Sequence, residues 1–201
     1  MKRKVIIMIF TTITIVLCGL YLHYENTKLQ VSNYKIVNNN IPVDFNNYKI
    51  VQISDFHNNQ SNTLTNDLIK EIEKQKPNII VLTGDFVDSS KTNVEVAINF
   101  IKKINTVAPI YYVSGNHEAS ISGYTKFKEQ LLENKVIILE NKTEVLKINE
   151  SSINLMGIDD PRMAHESFIS DSEIVKVELD NVKYNSCLLY TSDAADDLIG
   201  V

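Results

Sequence analysis

Three short polar runs carry side chains that could do chemistry: Asp55-Phe56-His57, Gly84-Asp85-Phe86-Val87-Asp88 and Gly115-Asn116-His117-Glu118. Asp55 and Asp85 are 30 residues apart, and Asp85 and Asn116 are 31 apart. Carboxylate and amide oxygens together with imidazole nitrogens suit Mn, Fe or Zn, and two such ions can share one carboxylate. Thiolates are not part of this set. The two cysteines, Cys18 and Cys187, lie near the two ends of the chain, so the body has no disulfide and no thiolate metal site. Taken singly, each run could be an ordinary turn, because Asp and Asn are common after strands. Three in order, at one repeat spacing, point to a shared site.

The elements that must position these runs can be read from the pattern around them. Leu29 to Val37 and Tyr48 to Ser54 are β-branched, partly alternating runs, separated by a polar stretch containing Pro42, and they predict two strands. Leu64, Leu68, Ile69 and Ile72 mark one face of a helix over Thr63 to Lys74, which Pro77 ends. Ile79 to Thr83 is a short continuous apolar run, as in a strand buried on both faces. Val94, Ala97, Ile98, Ile101 and Ile104 repeat at three and four residues, predicting a second amphipathic helix. Ile110 to Ser114 reads as a strand, Tyr124 to Asn134 as a third helix, and Val136 to Leu139 as a further strand. Glu144 to Ile148 and Ser152 to Met156 form a hairpin around Asn149 and Glu150. The order β-α-β-α-β-α-β implies a parallel sheet with helices packed over it. Each polar run then follows the carboxyl end of a strand, where open α/β sheets bind their ligands.

In this order, D-x-H, G-D-x-x-D and G-N-H-E resemble the first half of the calcineurin-like metallophosphoesterase family, over about residues 29–161 and including Gly157 to Pro161. More narrowly, they are similar to the membrane-anchored bacterial branch that contains the UDP-2,3-diacylglucosamine hydrolase-like phosphoesterases. The resemblance implies an α/β fold of the family's αββα sandwich type, N-terminal half only, with a dinuclear metal centre at one end. By the same resemblance Asp55 and His57 bind the first of two divalent ions (Mn, Fe or Zn). Asp85 bridges both ions, and Asn116 binds the second through its amide oxygen. His117 lies near the phosphate as a general acid or as a donor to the transition state, and Asp88 and Glu118 support loops. The implied activity is hydrolysis of a phosphodiester or diphosphate, lipid-linked or free, by a metal-bridging hydroxide.

The family's remaining ligands are histidines of its second half, one after a strand and two in Gly-His-x-His. This chain has His23, His57, His117 and His165, and no Gly-His-x-His precedes Ser186. His165, in PRMAHESF, reads as a loop histidine, and Asp159 and Asp160 read as loop residues beside Pro161. The expectation is one metal site nearly complete and the other half-built, a parallel sheet without its partner sheet, and a 201-residue chain that folds poorly and turns over little.

Both ends differ in composition from the body. Lys2, Arg3 and Lys4 precede eighteen uncharged residues, Val5 to Leu22. At the helical rise these reach about 27 Å, close to the thickness of a bilayer core. No small-x-small cleavage site precedes Glu25, and Cys18 follows Leu17 rather than a small residue. Residues 1–24 therefore read as a basic start and an uncleaved anchor, a cleaved signal peptide being the competing reading, with a cytoplasmic N-terminus and an extracytoplasmic body over 25–186. From Cys187 the chain reads CLLYTSDAADDLIGV, whereas the 22 asparagines all lie before Ser186. CLLYTSDAAD resembles the in-frame translation of a sequencing-library adapter, so 187–201 reads as non-native.

With 44% hydrophobic and 22% charged residues, the chain has ordinary globular composition. Its net charge of −5 argues against a protein that grips nucleic acid by bulk positive charge. The expected partners are a phosphorylated small molecule or lipid and, through residues 5–22, the cytoplasmic membrane. The competing reading from another functional class is a non-catalytic, membrane-anchored module that only binds a phosphorylated ligand or a partner.

Overall fold

Even and odd side chains of the central strands bury into different cores, and that alternation defines the layers. The computed structural model describes residues 2–163 and 187–190. Four parallel strands, β1 (Ile50–Ile53), β2 (Ile79–Thr83), β3 (Ile110–Val113) and β4 (Ile137–Ile138), stand side by side in chain order. All five residues of β2 are buried, as its unbroken apolar run predicts. Ile80, Leu82, Ile110 and Tyr112 face one way, into a core with Ile72 of α2 (Asn62–Gln75), Ile98 and Ile101 of α3 (Val94–Ile104) and Phe127 and Leu131 of a third helix. Ile79, Val81, Tyr111 and Val113 face the other way, against Phe45, Leu146, Ile153 and Leu155.

Local chemistry sets the helix ends. The Ser61 hydroxyl caps α2 by accepting the Leu64 N–H at 3.3 Å, and Lys76 closes the helix in a left-handed conformation just before Pro77. The side chain of Asn93 caps α3 in the same way through Val96. After β3 a single turn, α4 (Asn116–Ala119), precedes α5 (Tyr124–Glu133).

A second sheet covers the face of the first that the helices leave open. In it β5 (Lys142–Ile148) runs antiparallel to β6 (Ser151–Gly157), joined by the two-residue turn Asn149-Glu150, where Asn149 adopts a φ of 52°. β7 (Cys187–Tyr190) adds in parallel to β6. Strands pair through backbone groups, and an open strand edge can accept an extended segment.

Two expectations are corrected. The parallel sheet does not lack a partner, because β5 and β6 begin one and bury Leu146, Ile153 and Leu155 against it. The run from Leu29 to Val37 forms no strand with any of the described residues, and Val31, Tyr34, Ile36 and Val37 are exposed. β-branched residues favour extended backbone, but a strand also needs an edge to pair with, and this run meets none among the described residues. His165 and most of 187–201 lie outside the described residues.

At the other extreme of the chain, α1 (Lys2–Thr27) is a single helix. Its segment Arg3–Leu22 has a mean hydropathy of 2.5 and is exposed throughout. That is long and apolar enough to cross a membrane.

Candidate metal centre

Register brings the three polar runs to one level. Ile53 pairs with Leu82, and Thr83 with Val113, so the loops leaving β1, β2 and β3 start side by side. The first two loops then continue the ladder beyond the strands. Asp55 N–H donates to Gly84 O at 3.3 Å, His57 N–H to Asp85 O at 3.0 Å, and Asn58 N–H to Phe86 O at 3.0 Å.

The backbone here is strained. Asp55, His57, Asn58 and Asp85 take φ values of 55°, 46°, 38° and 50°. Asp, Asn and His tolerate this left-handed region better than other non-glycine residues, but each such residue still stores free energy that its surroundings must offset. The surroundings include the residues between these candidate ligands. Phe56 and Phe86 turn inward and stack at 4.8 Å between ring centres, and Phe56 also stacks on Phe100 of α3 at 4.6 Å. The aromatic rings thus anchor both loops into the helical core while Asp55, His57 and Asp85 stay at the surface end.

Glu118 joins the second loop to the third. Fully buried, its carboxylate accepts N–H bonds from Asp85 (2.9 Å), Phe86 (2.7 Å), Val87 (3.0 Å) and Gly115 (2.7 Å). Burial pushes its carboxyl above the ordinary glutamate range, against the opposing pull of these backbone donors. Gly115 is equally constrained, since a Cβ there would lie 2.4 Å from both the backbone N and Oδ1 of Asp85. Glycine lets the β3 loop come this close.

Within this frame His57, Asp85 and His117 bring one potential ligand atom each to within 4.8 Å of one another. Asp55 Oδ1 lies 3.7 Å from His57 Nε2, and Asp55 Oδ2 accepts the Ser54 hydroxyl at 2.5 Å. The His57 and His117 rings meet edge to face at 4.5 Å between centres. Asp85 Oδ1 also accepts the His117 backbone N–H at 2.9 Å. His117 Nδ1 accepts the Ser89 backbone N–H at 3.1 Å, so a neutral His117 carries its proton on Nε2.

Asn116 can meet Asp85 in two ways. With its amide nitrogen inward, it donates to both Asp85 oxygens at 3.0 and 2.8 Å, and its oxygen accepts from Arg162 Nη1 at 2.8 Å. With its oxygen inward, acceptors face acceptors, an arrangement that a cation stabilises. His57 Nδ1 is buried without a hydrogen-bond partner. The chemistry of this donor set, the unpaired imidazole nitrogen and the facing oxygens fit a divalent ion.

The remaining carboxylates do other things. Asp88 Oδ1 accepts the N–H and hydroxyl of Ser90, both at 2.7 Å, and these bonds pull its carboxyl down to about 2. It shapes the loop after β2. Asp159 accepts the Ser114 hydroxyl at 2.7 Å, and burial pushes its carboxyl up to about 6. Asp160 is buried and holds the turn Pro161–Met163 through the Arg162 N–H at 2.9 Å. Sequence reasoning singled out neither Ser89 nor Arg162. Serine beside an aspartate gives no signal, whereas Arg162 is the one arginine after residue 3, in a chain with eighteen lysines.

The profile of the calcineurin-like phosphoesterase family matches residues 48–188. An uncharacterized metallophosphoesterase of Aquifex aeolicus is 29% identical over 176 residues, which cover 84% of this chain and 64% of that protein. YkuE of Bacillus subtilis, an uncharacterized metallophosphoesterase, is 26% identical over 178 residues, covering 86% and 61%. The chain thus spans less than two thirds of the length of these two relatives. A transmembrane protein with a metallophosphoesterase domain from Bos taurus is 25% identical over 138 residues, covering 65% of this chain and 31% of that protein.

Proposed function

The chain belongs to the calcineurin-like phosphoesterase family, and from that premise we propose that the protein is a membrane-anchored, two-metal hydrolase of phosphate esters. The observation that carries this reading is the convergence of His57, Asp85 and His117 within 4.8 Å, with the Asn116 amide against Asp85. Asp55, His57 and Asp85 would hold one ion, and Asp85 and Asn116 the other. When bound, the ions would supply the positive charge that activates water and neutralises phosphoryl oxygens.

The protein's own groups prepare the rest. Glu118 and Gly115 keep the β2 and β3 loops close enough for Asp85 and Asn116 to act on one centre. Ser89 holds His117 Nδ1 as an acceptor and leaves the proton on Nε2, free to donate to a phosphoryl or leaving-group oxygen. Preset geometry of this kind contributes to catalysis because no reorganisation is needed at the moment of reaction.

α1 would cross the cytoplasmic membrane, with Lys2, Arg3 and Lys4 on the cytoplasmic side and the site outside. Lys28, Leu29 and Gln30, which directly follow α1, line a cavity of about 200 Å³ into which Ser54 and Asp55 open. This favours a substrate near the bilayer, a phospholipid or a lipid-linked diphosphate.

The test is Asp85→Asn in the full protein, with a chromogenic phosphodiester and Mn²⁺. Loss of turnover to background, with the circular dichroism spectrum unchanged, is the expected result. Wild-type rates in the variant would refute the reading.

A further inference from the structure

The Asn116 amide has two orientations, and they treat Arg162 differently. With the nitrogen inward, Asn116 bonds Asp85 and its oxygen accepts from Arg162 Nη1 at 2.8 Å. A cation held by Asp85 and Asn116 needs the amide oxygen inward instead. Rotating the amide then turns its NH₂ toward the guanidinium, where two donors face each other and no hydrogen bond can form. One of these groups must move, and Asn116 sits in α4 between the Asp85 contact and the Ser120 hydroxyl that bonds its carbonyl. Arg162 has an exposed side chain on a three-residue turn, so it is the group free to swing.

Its backbone stays in place. Asp160 Oδ1 holds the Arg162 N–H at 2.9 Å, and Asp160 O accepts the Met163 N–H at 2.9 Å, so the guanidinium moves about a fixed base. An arginine released beside a phosphoester site has an obvious partner in the phosphoryl oxygens, which its planar fork can bind in pairs. Composition supports a need for that fork. Eighteen of the twenty Lys and Arg residues are lysine, and Arg162 is the single arginine outside the N-terminal basic start.

We propose that Arg162 is a substrate-binding residue for the phosphoryl group, held by Asn116 in the metal-free protein and released when Asn116 turns its oxygen to a metal. The proposal rests on Asn116 being a metal ligand, as read above. It adds a residue from outside the three βα loops, and it ties readiness for substrate to metal occupancy. A protein without metal keeps its phosphate-binding cation engaged.

Two titrations by calorimetry test this on the full protein, in wild type, Arg162→Ala and Arg162→Lys, with matching circular dichroism spectra as the check on folding. The first adds Mn²⁺ to metal-free protein, and the second adds inorganic phosphate to Mn²⁺-loaded protein. Arg162→Ala should bind Mn²⁺ several-fold more tightly, since no Arg162 bond has to break, and phosphate about tenfold or more weakly. Arg162→Lys should fall between wild type and alanine for phosphate, because it keeps the charge and loses the fork. Unchanged phosphate affinity in Arg162→Ala overturns the proposal while wild-type Mn²⁺ binding leaves the phosphoesterase reading standing. Mn²⁺ affinity that is unchanged or weaker in Arg162→Ala overturns the latch. A wild-type protein that binds no Mn²⁺ overturns both.

Discussion

Replacing Glu118 with Gln should loosen the whole centre without touching a metal ligand, and the structure sets the size of the effect. The substitution keeps the shape, so no cavity term enters. Oε1 receives the N–H groups of Phe86 and Val87, and Oε2 those of Asp85 and Gly115. A glutamine oxygen can serve one of these pairs, and its NH₂ then points at the other. Two buried donors lose a charged acceptor, at about 1.5–3 kcal/mol each. Part of this is offset, because the burial that lifts the Glu118 carboxyl no longer acts on a neutral amide. The net expected loss is about 2–4 kcal/mol, a large share of the roughly 5–15 kcal/mol that holds an ordinary domain together.

Urea unfolding followed by circular dichroism, in the presence of EDTA, measures this loss on the fold alone. A parallel Mn²⁺ titration should show weaker binding, since either lost pair frees the backbone at Asp85 or at its neighbour Phe86. A change in unfolding free energy below about 0.5 kcal/mol would mean that the four N–H bonds do not act as described, and that the loops are held by the Phe56, Phe86 and Phe100 stack instead.

Two further outcomes follow from the same geometry. Gly115→Ala places a methyl 2.4 Å from the Asp85 backbone nitrogen, so the β3 loop must back away. It should lower stability by about 1–3 kcal/mol and weaken Mn²⁺ binding, and a melting temperature and Mn²⁺ affinity equal to wild type would contradict the close approach. Asp159 has its carboxyl raised by burial from 3.8 to about 6, so the folded state binds its proton more tightly than the unfolded state. Stability should therefore fall as pH rises from about 4 to about 6, and Asp159→Asn should flatten that window in urea midpoints measured across it.

What could be read from the chain and what could not divides along a physical line. β2, α3 and the Asn149-Glu150 turn depend on local pattern, and residues such as Ile79–Thr83 carry that pattern in themselves. So does the spacing of Asp55, Asp85 and Asn116, because a βα repeat of fixed length returns the chain to the same sheet edge. The β-branched run after Leu29 carries a strand pattern without forming a strand among the described residues, because pairing is decided by a partner and no local pattern encodes a partner.

The groups that tune the site leave no local signal for a related reason. Ser89 acts through its backbone N–H, which every residue but proline has, and Arg162 acts through a neighbour 46 positions away, Asn116. The x positions of D-x-H and G-D-x are the instructive case. Phe56 and Phe86 look like spacers between candidate ligands, yet their rings hold backbone at φ values of 46° to 55° that would otherwise relax. Ligand residues state which ion could bind. The aromatic stack, Glu118 and Gly115 state how closely the ligands are held, and those contacts exist only once three strands lie in register.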